Sequence, residues 1–273
     1  MEIIPEDETR SRFNWQVGGE IGSVRLRSEM ELDGFLAALK RSTIYVDITG
    51  LPHFVWLPVL RAALRLDLQL EVVYAEPQYY VPRRNSPAAE LYQLSDQISN
   101  AEPLPGFASL GRDTSPPILI SLLGFEGGRF ARVQEIVQTT GDRTFPIIGV
   151  PGFEPEYPFI AYFANRLPLH EGDCWMNLGF ANASCPFSLL AQLEHLTEHR
   201  ITKDQTIKVA MIGTKPHALG ALLFFLRSER DVELVYDHPV RSAGRTKGST
   251  RCWVHSVSNL TYRKERLSSL PPA

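Results

Sequence analysis

The sequence predicts an α/β protein of the Rossmann-like, doubly wound kind, with a mainly parallel sheet and helices on both faces. Three observations lead there. Short apolar runs alternate with helix-length stretches along most of the 273 residues, which is the pattern of successive βαβ units. The runs are largely apolar without strict alternation, as in Ile118-Leu-Ile-Ser-Leu-Leu123 and Val232-Glu-Leu-Val-Tyr236. That is expected of strands covered on both faces, not of a sheet with one wet face. Apolar residues make up 44% and charged residues 22%, an ordinary balance for a chain able to bury one large core.

Taken in order, residues 1–20 read as a flexible lead-in and Ser23–Arg27 as a first short strand, followed by a helix over Glu31–Lys40. Thr43–Ile48 is a strand. Trp56–Leu66 is a helix with Pro58 in its first turn, where a missing N–H costs nothing. Leu68–Ala75 is the next strand. A Pro-, Asn- and Ser-rich stretch over 76–117 reads as a long loop with a helix at Pro87–Ile98 inside it. Alternation then resumes: strands at Ile118–Leu123, Phe145–Val150, Cys174–Phe180, Ile207–Ile212 and Val232–Tyr236 are interleaved with helices at Gly128–Thr139, Pro155–Asn165, Pro186–Glu198 and His217–Arg227. A last strand lies near Arg251–Val257. The expected organisation is one domain over 21–260, built on one continuous sheet, with a tail at 261–273.

A net charge of −3 and a pI near 6.2 supply no global pull toward nucleic acid or a membrane surface; contact with nucleic acid is left open to a local basic patch. Cys174, Cys185 and Cys252 are isolated, and Met1–Glu8 is acidic without an apolar core, so reduced thiols in a cytoplasmic protein are expected. Apolar runs are far shorter than a membrane span. His217 and His238 fit no standard zinc or iron spacing. Neither a metal nor a cofactor is expected.

Ligands of open α/β sheets sit beyond the carboxyl ends of the strands, so the residues there are the candidates. Asp47 ends one strand, and Glu76 follows the next. Gly124-Phe-Glu126-Gly127-Gly128-Arg129 opens a helix after another; its glycines suit close backbone approach to a phosphate, and Arg129 suits pairing with it. It is neither GxGxxG nor a Walker motif. Glu126 reads either as a charge favoured at a helix start or as a general acid or base. Asp237, His238 and Arg241 follow the strand ending at Tyr236. Arg241, Arg245, Lys247 and Arg251 form a basic segment, either a solvated loop or one that closes over an anion. Tyr79 and Tyr80 either cover a base or a partner surface, or plug the long loop onto the core.

The turn Gly213-Thr214-Lys215-Pro216-His217 lies between an apolar strand and the apolar helix Ala218–Leu226. A helix start offers free N–H groups and a positive dipole end, and with a lysine and a histidine it suits a phosphate. This strand, turn and Ala/Leu-rich helix resemble a motif of CRISPR-associated Rossmann-fold (CARF) domains over about 20 residues. The resemblance implies that Thr214 and Lys215 contact phosphate or ribose of a nucleotide messenger. It also implies a part in a prokaryotic antiviral defence system, with the effector a separate chain. Apart from that resemblance, a homodimer is an expected arrangement of a sensing protein.

Three functional readings follow. The first is a binding protein for a nucleotide or other phosphorylated small molecule, held by Gly213, Thr214, Lys215 and His217, with Gly127, Gly128, Arg129, Asp237 and Arg241 contributing. The second is a nucleotide- or nucleoside-processing hydrolase that uses Glu126, Asp47 or Glu76. The third is a scaffold subunit of a protein complex.

Overall fold

In the computed structural model, which describes residues 1–6, 9–39, 43–82, 92, 94–97, 99–109 and 116–267, the chain divides into two units. The first comprises Met1–Tyr74, Leu104–Phe107 and Cys252–Ala273, and the second Ala75–Pro103 and Ala108–Arg251.

The first unit begins where a flexible lead-in was expected. Residues 1–20 instead supply most of an antiparallel sheet of β1 (Glu2–Pro5), β2 (Arg12–Val17) and β3 (Glu20–Arg25). β2 and β3 pair from Arg12↔Arg25 to Val17↔Glu20 across Gly18-Gly19. Both turn glycines have positive φ, 55° and 89°. A two-residue Gly-Gly link between strands is a hairpin signal, and it outweighs the acidic composition of the first eight residues. Helix α1 (Glu29–Ala38) is capped by the Ser28 hydroxyl, which accepts the Glu31 N–H at 3.3 Å. It buries Leu32, Phe35 and Leu36, and Phe35 meets the edge of the fully buried Phe13 at 5.2 Å.

β4 (Thr43–Asp47), α2 (His53–Arg65) and β5 (Gln69–Tyr80) form a parallel βαβ unit, with Thr43↔Gln69 to Asp47↔Val73 in register. α2 starts three residues earlier than the sequence suggests, so Pro58 lies inside the helix and not in its first turn. α2 is buried from His53 to Leu64. The buried Arg61 is satisfied within the same unit: its Nε donates to the Arg266 carbonyl at 2.7 Å, and its guanidinium lies over the Phe107 ring. Burial pushes Arg61 down to about 10.

The second unit holds the long sheet. Its strands are β7 (Glu102–Pro103), β8 (Ile118–Leu122), β9 (Thr144–Gly149), β10 (Gly179–Ala181), β11 (Ile207–Ala210) and β12 (Val232–Tyr236). Their order is β10-β9-β8-β11-β12-β7; the first five run parallel and β7 is antiparallel. The expectation of a single continuous sheet is therefore corrected, because β4 and β5 belong to a separate sheet. Apolar runs mark strands, but the choice of lateral partner is a tertiary property. β8 and β12 are buried at every residue. Glu233 inside β12 is buried because Lys208 reaches it at 3.1 Å and Ser109 N–H donates to it at 3.0 Å.

α3 (Gly127–Val137) packs on α4 (Tyr157–Glu171), and α5 (Pro186–His199) packs on α6 (Lys215–Arg227). A core of Leu119, Phe130, Val133, Ile148, Ala161, Leu169 and Ile212 joins α3 and α4 to the sheet. α4 runs six residues beyond its expected end. The strand expected over 174–180 is a 3-10 turn at Trp175–Asn177 followed by β10.

Within the stretch 76–117, much of the expected helix at 87–98 lies outside the described residues; its Ser95–Gln97 part is strand β6, paired with β13 (Val240–Arg241). The basic segment is likewise strand for much of its length: it starts in β13, turns at Gly244 and continues into β14 (Thr246–Ser256). β14 pairs with β5. Of the expected tail, Lys264–Leu267 forms the short helix α7, and 268–273 lie outside the described residues.

Candidate functional site

The chain runs β8 to β9 to β10 in one direction across the sheet, then crosses to β11 and β12 on the other side of β8. Where the order reverses, the connections leaving β8 and β11 diverge and a crevice opens at their carboxyl ends. A pocket of about 580 Å³, part of it open to solvent, occupies this place. Its wall comes from the segments that follow four neighbouring strands: Leu123–Glu126 and Arg129 after β8, Gly152 and Phe153 after β9, Ala183 after β10, and Ile212–Thr214 after β11. Tyr80, Leu94, Gly149, Tyr157 and Ala161 complete it.

The strand ends are unusually close, and glycine makes this possible. A Cβ on Gly124 would stand 3.0 Å from the Ile212 carbonyl, and one on Gly213 would stand 2.9 Å from the Leu122 carbonyl. A Cβ on Gly149 would stand 2.7 Å from Ala183 Cβ. Gly127 is buried where α3 meets α4, and a Cβ there would collide with the Ala164 carbonyl. Gly127 and Gly213, expected as phosphate-facing residues, therefore have a packing reason to be glycine. Gly128 is exposed with open space around it.

Aromatic rings form one side of the pocket. Phe125 meets Tyr80 and Tyr157 edge-on, each at 5.1 Å, and Tyr80 meets Tyr157 at 5.7 Å. Tyr92 joins them, 5.2 Å from Phe125. Burial and the neighbouring Tyr80 and Tyr92 push the Tyr157 hydroxyl up to about 12, so it is a neutral donor and acceptor at physiological pH.

Charge in the pocket is already committed. Arg129 makes a forked bond to the fully buried Asp237, Nε to Oδ2 at 2.7 Å and Nη2 to Oδ1 at 2.6 Å. Its Nη1 donates to the Ile212 carbonyl at 3.1 Å. Burial opposes the Arg129 charge, but the bonds and charge of Asp237 outweigh it and raise the guanidinium above its ordinary value. The Glu126 carboxylate accepts Leu94 N–H at 2.9 Å and the Ser95 hydroxyl at 3.1 Å, with Arg129 Nη1 at 3.4 Å. It holds the 94–97 segment in place. These bonds give Glu126, Arg129 and Asp237 one shared structural role.

Of the turn that opens α6, only Gly213 and Thr214 line the pocket. Thr214 is the N-cap: its hydroxyl accepts the His217 N–H at 3.3 Å and donates to the Ala183 carbonyl at 3.0 Å. Lys215 is buried and is not among the lining residues. His217 is fully buried, with Nε2 3.1 Å from the Asn182 carbonyl, and burial pushes its imidazole down to about 4. It is therefore neutral and cannot present positive charge to an anion.

The other two carboxylates lie elsewhere. Asp47 is exposed in the first unit and accepts Thr49 N–H at 2.8 Å, closing a turn. Glu76 is buried within β5 and is not among the lining residues. Arg241 sits in β13. Arg245 is half-buried; burial and the Arg241 charge push it below the ordinary arginine value, while Tyr80, Tyr236 and Glu126 pull it back. Arg245 thus lies within electrostatic reach of pocket-lining Tyr80 and Glu126, and Arg241 within reach of Arg245.

Sequence reasoning missed Phe153, Tyr157 and the small residues Gly149 and Ala183. The strand-end rule pointed at Gly152 and Phe153, but charged residues drew the choice. Among the described residues, no cluster of His, Cys, Asp or Glu could hold a metal ion, and no helix is long and apolar enough to cross a membrane. Comparisons with protein-family models, with curated proteins and with solved structures find no match.

Proposed function

We propose that the second unit is a Rossmann-like, doubly wound domain of a cytoplasmic binding protein, and that it takes a nucleoside or nucleotide at the β8/β11 crossover. The observation that carries this reading is an aromatic-walled pocket where the strand order reverses. The five parallel strands have the order third, second, first, fourth, fifth, and the α3–α4 and α5–α6 pairs would cover opposite faces. A concave, mostly apolar lining with a few polar groups suits a small molecule. Phe125, Tyr157 and Tyr80 suit the flat face of a base, and stacking of this kind contributes ~1–3 kcal/mol per base. The Tyr157 hydroxyl and Thr214 would read the polar edge.

Phosphate would be held by Arg241 and Arg245 and not by Lys215. This relocates the anion contact that the Gly213–Lys215 turn suggested by sequence. The resemblance of that turn to CARF domains supports a sensing role in a prokaryotic defence system. The hydrolase reading is not adopted, because among the described residues the carboxylate lining the pocket, Glu126, is engaged by Leu94, Ser95 and Arg129.

The test is calorimetric titration with nucleosides and their 5′-phosphates. Tyr157→Ala should weaken every binder ~10-fold or more, while Tyr157→Phe, which keeps the ring and loses only the hydroxyl contact, should fall between the parent and Tyr157→Ala. Arg245→Ala should weaken nucleotides and leave nucleosides unchanged. Binding that is indifferent to Tyr157→Ala, or a panel with no binder at all, overturns the proposal.

A further inference from the structure

One surface of the second unit is far more apolar than solvent exposure favours. On α4, Phe159, Tyr162, Phe163 and Leu167 are exposed at 76%, 39%, 42% and 55%. Their spacing of three, four and eight residues puts them on one helix face. The turn after the helix continues the patch: Tyr162 Oη lies 3.0 Å from His170 Nε2, and His170 stacks on Trp175. Trp175 and Met176 are exposed at 46% and 68%.

Phe180 belongs to the same surface. It pairs in register with Ile148, which packs with Ala161 and Leu169 of α4. Its neighbour Gly179 faces Gln192 of α5, so Phe180 points to the opposite, α4 side. β10 is the edge strand, and Phe180 is 54% exposed there.

With ~200 Å² for a whole aromatic side chain, the five aromatic side chains alone show roughly 500 Å² to solvent, and the exposed Leu167 and Met176 add to it. The largest apolar patch on a typical monomer is ~300–600 Å², and a stable interface covers ~800 Å² on each partner. The margin carries both signs of charge: Arg166, whose guanidinium lies over Phe163 at 4.1 Å, and the exposed Glu171 and Asp173. No single sign of charge rings the patch, so nothing at its margin forces identical patches apart, as a two-fold interface requires.

We infer that this α4–β10 face is a homodimer interface, occupied by a second copy of the chain. The inference is independent of the pocket and its ligand. Sedimentation velocity on the full chain over a dilution series should show a dimer that dissociates reversibly. The double variant Phe159→Glu/Met176→Glu changes two of the most exposed side chains, so its circular dichroism should match the parent while it sediments as a monomer. Leu167→Lys alone should shift the dissociation constant upward by at least tenfold. A parent chain that is monomeric throughout, or a folded double variant that stays dimeric, overturns the inference. A different protein seated on this face in place of a second copy overturns it as well.

Discussion

At the scale of single residues, the behaviour of the pocket depends on which charges are already spent. Asp237 is completely out of water and Arg129 nearly so, and each is tolerated there only because the other is present. Removing one partner leaves an uncompensated buried charge, which costs ~3–5 kcal/mol. Arg129→Ala should therefore lower the free energy of unfolding in urea by that amount. The double variant Arg129→Met/Asp237→Leu should recover most of the loss, since an apolar pair of similar volume is often neutral. Equal losses in the single and double variants would show that Arg129 acts through its stem and its bond to Ile212. His217 makes a second, pH-dependent prediction. Its folded value is pushed from 6.5 to about 4, so between those limits the unfolded chain binds a proton that the folded protein refuses. Stability therefore falls as pH drops through the window. The loss is about 2 kcal/mol between pH 7 and pH 5 at ~1.4 kcal/mol per tenfold change. His217→Phe should flatten this part of the urea-midpoint profile while lowering stability at pH 7.

At the scale of elements, helix α6 shows why propensity is a poor guide to a buried helix. It is buried from Lys215 to Leu226, and Gly220 sits in its middle, where glycine costs ~1 kcal/mol relative to alanine. The reason is its neighbour: a Cβ at Gly220 would lie 2.5 Å from the Pro186 carbonyl and 2.9 Å from Leu189 Cβ. Gly220→Ala should thus destabilise by ~1–3 kcal/mol through overpacking, opposite in sign to the propensity gain. A raised melting temperature would show that α5 gives way easily. The same logic reinterprets the glycines at the strand ends. Gly124, Gly127 and Gly213 stand where the sequence suggests close backbone approach to a phosphate, but backbone from another segment fills the space in front of each. Their identity was legible in the sequence. Their purpose was not, because the groups they make room for are distant in the chain: Gly213 faces the end of β8, and Gly127 faces α4.

At the scale of the whole molecule, most of the elements could be read from the chain alone. β8, β9, β11, β12 and the helices between them announce themselves as apolar runs and helix-length stretches, since local periodicity follows from which faces must be buried. The N-terminal hairpin was legible too, in Gly18-Gly19 between two strand-forming runs. That a pocket lies at the carboxyl ends of the strands also followed from the alternation, because parallel βαβ topology collects those ends on one side. The sequence by itself thus determined the class of fold, the segments that border the pocket and the absence of a strong net charge. Only the tertiary structure decided that β4 and β5 leave the long sheet, that Lys215 and His217 are buried, and that Arg129 belongs to Asp237. It also decided that rings from Tyr80, Phe125 and Tyr157 make the wall of the pocket. The physical reason is common to all of these: burial, ion pairing and strand partnership depend on contacts between residues far apart in the chain, and one-dimensional periodicity carries no information about which distant groups will meet.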